Sequence, residues 1–297
     1  MLLSILQRAS KMKKIIAKIF LLLFLIVSPF AYSEEGCFYV LKEPKPETGM
    51  FAAVQTVLCF LDVYEKHGGD WSGVEVNFGT EGLYWVANKG HNWWQYYFDP
   101  ICIKKTRPKS MHYLDIFGLQ KLCLQFGFHP IGHRYGNYLI QKYVKVKDAI
   151  QKKANSFYKK NLRNAYLIGV HYRGTDKVTE APRVPYDQVY AKIMEVMKTM
   201  PKKEVKIFVA TDEQQFISYI TNKFPHHVYY TIATRAADSL PVHIHHNLNP
   251  YENGVEALVD CLLLSKCRVL IRTESHLSNT ALMFNPDIIP HTLNCYK

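Results

Sequence analysis

The chain has 297 residues and carries 37 Lys or Arg against 25 Asp or Glu, a formal net charge of +12. Apolar and aromatic residues make up 48%, enough for a sizeable core; this excludes a disordered chain, and the length accommodates two domains of ordinary size. The lysine excess suits an anionic ligand or surface, but no basic motif interleaved with aromatics accompanies it, which excludes nucleic acid as the main partner.

In chain order, the first feature is a basic patch, Lys11, Lys13, Lys14 and Lys18, ahead of an aliphatic and aromatic run at 19–27. Ser28-Pro29-Phe30-Ala31-Tyr32-Ser33 then offers small residues before Glu34-Glu35. This is the plan of a secretory signal over residues 1–33, and it predicts an exported chain, periplasmic or secreted. The run is short for a bilayer span. A retained membrane anchor through residues 12–33, facing a lumenal compartment, is the alternative. Residues 1–33 hold Arg8, four lysines and no acid, so their removal lowers the net charge from +12 to +7.

Residues 50–64 read as a helix that is apolar round most of its surface, and Val74-Glu75-Val76-Asn77-Phe78 alternates as a strand. The rest of the first half reads as irregular. The loop-rich segment 79–100 holds Tyr84, Trp85, Trp93, Trp94, Tyr96, Tyr97 and Phe98. Aromatics at that density form a core or, in a carbohydrate-handling protein, stack on sugar rings. A helix is predicted over 114–126. Residues 139–160 read as one basic helix with Ile140, Tyr143, Val144, Ile150, Ala154 and Phe157 along a single stripe, its lysines a solvated face. It connects the two halves, 34–160 and 161–297.

The second half is regular. Strands are predicted at 165–171, 205–210, 228–231 and 268–271, and helices at 186–200, 213–224, 252–267 and 275–284. Alternating strands and helices imply a parallel, doubly wound sheet with its ligand site at the C-terminal strand ends. Three of those ends carry polar clusters. The first is His171-Tyr172-Arg173-Gly174-Thr175-Asp176-Lys177, with Glu180 close behind. The second is Thr211-Asp212-Glu213, which also reads as a helix N-cap; the third is Thr273-Glu274-Ser275-His276, with Ser275 opening a helix. A planar guanidinium offers paired donors that fit two phosphate oxygens, so Arg173 is the natural counter-charge for a phosphorylated ligand. Asp260 lies within an apolar helix, where a carboxylate needs a partner such as an Arg or the edge of a base.

The seven cysteines include no Cys-x-x-Cys pair, and neither an Asp-x-Asp, a Walker loop nor a His-Glu-x-x-His occurs. Cys261 and Cys267 flank an apolar helical stretch and read as core. His243, His245 and His246 put three histidines within four residues, and metal binding there is a competing reading, although such clusters are more often no site.

The motifs Gly-Val-His-x-Arg-x-Thr-Asp-Lys, Ala-Thr-Asp-Glu and Asp-x-x-Leu-Leu-Ser-x-x-x-x-Leu-x-x-Thr-x-Ser resemble those of the α1,6- and related GDP-fucose fucosyltransferases, a group that includes the bacterial Nod-factor enzymes and the animal core fucosyltransferases. The resemblance covers about residues 165–286 and extends weakly to Val76–Thr80 and Asn92–Phe98. It implies a GT-B-like α/β fold of two Rossmann-like domains facing a cleft, with the donor held by the C-terminal one. It implies inverting, metal-independent transfer with no cofactor, GDP-fucose as co-substrate and a glycan as acceptor. By the same resemblance Arg173 holds the diphosphate, His171 lies near the guanosine, Asp260 reads the guanine edge, and Thr273, Ser275 and His276 border the diphosphate. Asp212 matches a family carboxylate. Glu180 is the candidate base, oriented by Lys177 or Asp176, and Asp176 also suits a brace for Arg173. Three departures stand out: Gly174 occupies a position where some members carry a second arginine, the stretch from Lys177 to Glu180 is one residue shorter than in the animal enzymes, and Ala52-Ala53 stand where bacterial members often show Ser-Asn. Transfer from another nucleotide sugar, or glycan binding with weak catalysis, are the competing readings.

Overall fold

The computed structural model describes residues 35–42, 45–125, 130–174, 183–200, 204–233, 235 and 249–293. The first half is not irregular. It is built on a four-stranded sheet of order β3-β2-β1-β4. Strand β1 (Cys37–Leu41) pairs in parallel with β2 (Gly73–Val76) and β4 (Ser110–Leu114), and β3 (Cys102–Lys104) runs antiparallel on β2. All five residues of β1 are buried, as a central strand covered on both faces requires.

Helix α1 (Met50–His67) follows β1 and buries ten side chains, in keeping with its nearly all-round apolar sequence. The aromatic segment is mostly core. Trp93, Trp94, Tyr97 and Phe98 are wholly buried around the short helix α2 (Trp94–Tyr97). Asn92 fastens this segment to the end of β2: its side-chain oxygen accepts the Phe78 and Trp94 N–H groups, and its amide donates to the Val76 carbonyl. Helix α3 (Ile116–Gln125) then packs on β4 and α1.

The single connector helix expected at 139–160 is two helices, α4 (His133–Tyr143) and α5 (Asp148–Phe157), followed by a π-helical turn over Tyr158–Leu162. The break at Val144 to Lys147 has a tertiary cause. Val146 bridges to Phe98, the Asp99 N–H donates to the Lys145 carbonyl, and the Lys147 N–H donates to the Tyr97 carbonyl. The helix gives up its own hydrogen bonds to pair with the aromatic segment. Its lysines are not simply solvated: Lys142 pairs with Glu65, and Lys145 and Lys147 both pair with Asp99.

The second sheet is wholly parallel, of order β7-β6-β5-β8-β9. Its strands are β5 (Tyr166–Tyr172), β6 (Val205–Thr211), β7 (Val228–Tyr229), β8 (Val269–Arg272) and β9 (Ile289–Thr292). Period-two alternation sorts the side chains. Ile168, Val170, Tyr172, Ile207, Val209, Val269 and Ile271 pack against α6 (Tyr186–Lys198) and α7 (Gln214–Lys223). Leu167, Phe208, Ala210 and Leu270 face the other way, toward α8 (Pro250–Leu264) and α9 (His276–Phe284). There Cys261 and Cys267 are buried, as expected. Edge strand β9 was not foreseen, because its side chains are mostly exposed and carry no apolar pattern. The chain order winds outward from β5 to β7, then returns to β8 on the opposite side. The point where strand order reverses therefore lies between the C-terminal ends of β5 and β8.

The apolar cluster on the α8–α9 side runs without interruption into the first half. Tyr97 is one of its links: its hydroxyl lies 3.2 Å from the carbonyls of both Pro250 and Tyr251 at the start of α8. Its ring packs so closely on the next turn that a Cβ on Gly254 would stand 2.4 Å from the hydroxyl oxygen. Gly254→Ala is expected to lower stability by about 1–3 kcal/mol, the usual cost of overpacking, read as a lower urea midpoint with an unchanged slope.

Candidate functional site at the strand ends

The site begins where β5 and β8 separate. Their last paired residues are His171 and Arg272. Beyond this pair the Thr273 N–H donates to the His171 carbonyl (3.0 Å), and the Arg173 N–H donates to the Thr273 hydroxyl (2.9 Å). The backbone of residue 173 is thus fixed before its side chain leaves the sheet. Tyr172 points to the α6–α7 face and stacks on Phe216, so alternation turns His171 to the opposite, buried side. The His171 ring nitrogen Nδ1 lies 3.4 Å from the Thr273 carbonyl.

Strand β6 contributes Asp212. One of its carboxylate oxygens accepts the Gly174 N–H (3.2 Å), and the other lies 3.9 Å from Arg173 Nε. Both side chains are partly exposed, so the attraction is screened and worth at most about 1 kcal/mol; it orients the guanidinium more than it stabilises the fold. The structure thus pairs Arg173 with Asp212. Asp176, the brace considered from sequence, lies outside the described residues, as do Lys177 and Glu180 and the histidines 243, 245 and 246.

Glu213 is not a capping side chain. It is buried and receives the Arg183 guanidinium (2.9 Å) and the Tyr186 hydroxyl (2.6 Å). Arg183 also reaches the Gly174 carbonyl (3.4 Å). Position 174 has no room for a side chain: a Cβ there would stand 2.4 Å from Glu213 Oε1 and 2.7 Å from the Tyr172 ring. An arginine at this position would meet the same crowding, and Arg183 brings a guanidinium to the same backbone from farther along the chain.

At the end of β8, Thr273 and Ser275 are buried and belong to the frame. Ser275 caps α9 through a reciprocal box with Ser278. Buried Arg272 supports that turn through Thr292, Ser278 and Asn279. His276 opens α9 and reaches the first half: Nδ1 lies 2.8 Å from Gln55 Oε1, and the Gln55 amide donates to the His276 carbonyl. Tyr84 is the second approach from that half. Its hydroxyl accepts the Met50 N–H at the start of α1. Burial raises its pKa, and the Met50 N–H and the nearby Arg173 charge pull it back. Sequence reasoning missed Gln55 and Arg183, and singled out Tyr84 only as one of the aromatics of segment 79–100; none carries a local motif, and tertiary packing brings them here.

Asp260 forms a second cluster beneath the end of β7. Its carboxylate accepts the Thr231 hydroxyl (2.7 Å), and Arg235 lies close enough to act on its charge. Arg235 donates in turn to the Thr231 carbonyl. The expectation that this carboxylate needs a partner is met by a hydroxyl and a neighbouring guanidinium.

Burial pushes the Asp260 carboxyl up to about 7 from 3.8, against the hydroxyl and the arginine. The folded state keeps a proton that the unfolded chain has lost, so this contribution is full below about 3.8 and disappears as pH rises through about 7. His171 acts in the opposite sense. Burial first, then the Arg173 charge, holds it neutral down to about 3 rather than 6.5. Its contribution is full above 6.5 and is lost as pH falls toward 3. Asp260→Asn removes the first slope alone. The variant should gain stability relative to the parent steadily from about pH 4 to pH 7. Urea unfolding across that range checks it, and a pH-independent difference refutes it.

Among the described residues, no group of three or more His, Cys, Asp or Glu is arranged to hold a metal ion. The family model for Nodulation protein Z (NodZ) matches residues 136–296. Nodulation protein Z of Bradyrhizobium diazoefficiens is 27% identical over 161 residues, 51% of this chain and 43% of that protein. The Sinorhizobium fredii protein of the same name is 28% identical over 161 residues and matched over 49% of its length. The chain thus spans less than half the length of the curated relatives it matches. The crystal structure of NodZ α-1,6-fucosyltransferase soaked with GDP-fucose superposes with a TM-score of 0.60 at 18% identity, covering 84% of this chain and 92% of that one. That of fucosyltransferase NodZ from Bradyrhizobium gives 0.60 at 16% identity, covering 86% and 95%. The fold is the α/β fold of these structures, and by the extent of its family match the chain belongs to the NodZ family.

Proposed function

We propose that this chain moves fucose from GDP-fucose to a hydroxyl of a glycan, with inversion and without a metal or cofactor. The observation that carries the reading is Arg173 at the reversal of strand order, its backbone tied to Thr273 and its side chain oriented by Asp212. Family membership supports it, as does the likeness in fold to a fucosyltransferase soaked with GDP-fucose.

In this reading the donor lies between residues 34–160 and 161–297, with its nucleotide on the second part. Asp260 accepts from the guanine edge and His171 lies beside the guanosine as a neutral ring. The acceptor oxygen bonds to the anomeric carbon as the carbon–oxygen bond to phosphate breaks, and GDP departs with the electron pair. Arg173 and the first turn of α9, opened by Ser275 and His276, stabilise the charge that develops on the diphosphate. One preorganised donor of this kind is worth about 3–4 kcal/mol. The acceptor proton passes to a base; Glu180 is our candidate, with Lys177 or Asp176 orienting it. Residues 1–33 export the chain or, through 12–33, hold it at a membrane.

Arg173→Ala should reduce transfer by roughly 10²–10³-fold. It should leave the thermal midpoint nearly unchanged, because the backbone N–H and not the guanidinium holds Thr273. Mass analysis of a glycan library incubated with GDP-fucose, with GDP-mannose and UDP-sugars as controls, reads the effect. Undiminished turnover in the variant would remove Arg173 from the reaction. Glycan binding with no GDP release would favour a weakly catalytic binding protein.

A further inference from the structure

We propose that Tyr84 is a further catalytic residue: its phenol donates a hydrogen bond to the diphosphate of GDP-fucose as the bond to the sugar breaks. The proposal rests on the transfer reading above and adds to it a group from the first half of the chain.

Tyr84 lies in the aromatic segment that follows β2 and is only 6% exposed. Its ring stands 5.2 Å from that of Trp93 and 6.1 Å, edge-on, from that of Tyr97, and both neighbours are wholly buried. A phenol wedged in this way has its hydroxyl placed by the core around it. The oxygen accepts the Met50 N–H at 3.1 Å. Gly49, ahead of α1, supplies no side-chain cap, so Tyr84 covers the first N–H of the helix. Capping uses a lone pair and leaves the proton. Among the described residues no acceptor takes that proton. Buried hydroxyls nearly always find an acceptor, so an unmade O–H within the field of Arg173 needs a reason.

Electrostatics supplies one. Burial keeps the phenol protonated, and the Met50 N–H and the Arg173 charge oppose it less strongly. Tyr84 is therefore a hydrogen-bond donor and not a base, and the two opposing influences strengthen it as a donor. Arg173 cannot accept its proton, because a guanidinium carries only donors. A ligand that satisfies both groups at once is an anion rich in acceptors, and the diphosphate is that part of GDP-fucose. No proton passes from Tyr84. The glycan oxygen bonds to the anomeric carbon, the bond from that carbon to the phosphate oxygen breaks, and both electrons leave with GDP. The Tyr84 O–H and the Arg173 guanidinium bond to phosphate oxygens as that charge grows, one from each half of the chain.

The test compares single-turnover rates, with the full chain in excess over GDP-fucose and a glycan library as acceptor. Tyr84→Phe keeps the ring and removes the hydroxyl. Its rate should fall roughly 10²-fold while binding of GDP-fucose changes little. This variant also uncovers the Met50 N–H, so tyrosines fluorinated on the ring, placed at position 84, separate the two roles. Fluorine makes the hydroxyl a stronger donor and a weaker acceptor. At a pH where every ring stays protonated, the rate should rise with the acidity of the phenol. A rate that stays level or falls along that series overturns the proposal. A lower thermal midpoint in Tyr84→Phe without loss of rate makes Tyr84 a cap alone and also overturns it. If Tyr84→Phe does not fold, the fluorinated series decides by itself. A parent chain that transfers nothing overturns the transfer reading and this one with it; a parent that transfers, matched by Tyr84→Phe, overturns this one only.

Discussion

The structure depends on how two parallel strands part. Where strand order reverses, β5 and β8 lose their ladder, and the peptide groups beyond it still need partners in a dry environment. Thr273 meets that need from both sides: its N–H serves the His171 carbonyl, and its hydroxyl receives the Arg173 N–H. Asp212 extends the arrangement across to β6 by accepting the Gly174 N–H. Three strand ends are therefore joined by side chain to backbone bonds. The guanidinium of Arg173 is projected from a backbone that is already satisfied, which is the condition for a preorganised charge.

The first half contributes to the same point through single polar contacts set in apolar surroundings. Gln55 meets both the ring and the carbonyl of His276, and Tyr84 brings a buried phenol into the field of Arg173. Tyr97 reaches the first carbonyls of α8. Buried Arg272 fixes the turn that begins α9 from below. The polar groups of the site are thus held by a shell that spans both halves of the chain.

The second half was legible because its signals are local. Strand residues alternate with period two, helices repeat at 3.6, and the polar clusters follow directly on apolar runs, which marked His171, Arg173, Asp212 and Thr273. The first half hid its sheet. Cys37–Leu41 is a continuous apolar run without alternation, and β3 and β4 are short strands with exposed side chains. The break between α4 and α5 contains no Gly or Pro and is imposed by Phe98 and Tyr97 from across the chain. Glu213 followed a strand as a cap would, yet its partners Arg183 and Tyr186 lie about thirty residues upstream in sequence. The need of Asp260 for company could be read from an apolar helix; that the company would be Thr231 and Arg235 could not.

The crowding at Gly174 constrains how this sequence can change over evolutionary time. An arginine at that position meets the Glu213 carboxylate and the Tyr172 ring, so it cannot be acquired alone. Shrinking Glu213 removes the carboxylate that Arg183 pairs with, and losing Arg183 leaves the buried carboxylate with the Tyr186 hydroxyl and without its counter-charge. The three positions are coupled, and substitutions among them are not additive. A change at residue 174 therefore requires accompanying changes at residues 213 and 183.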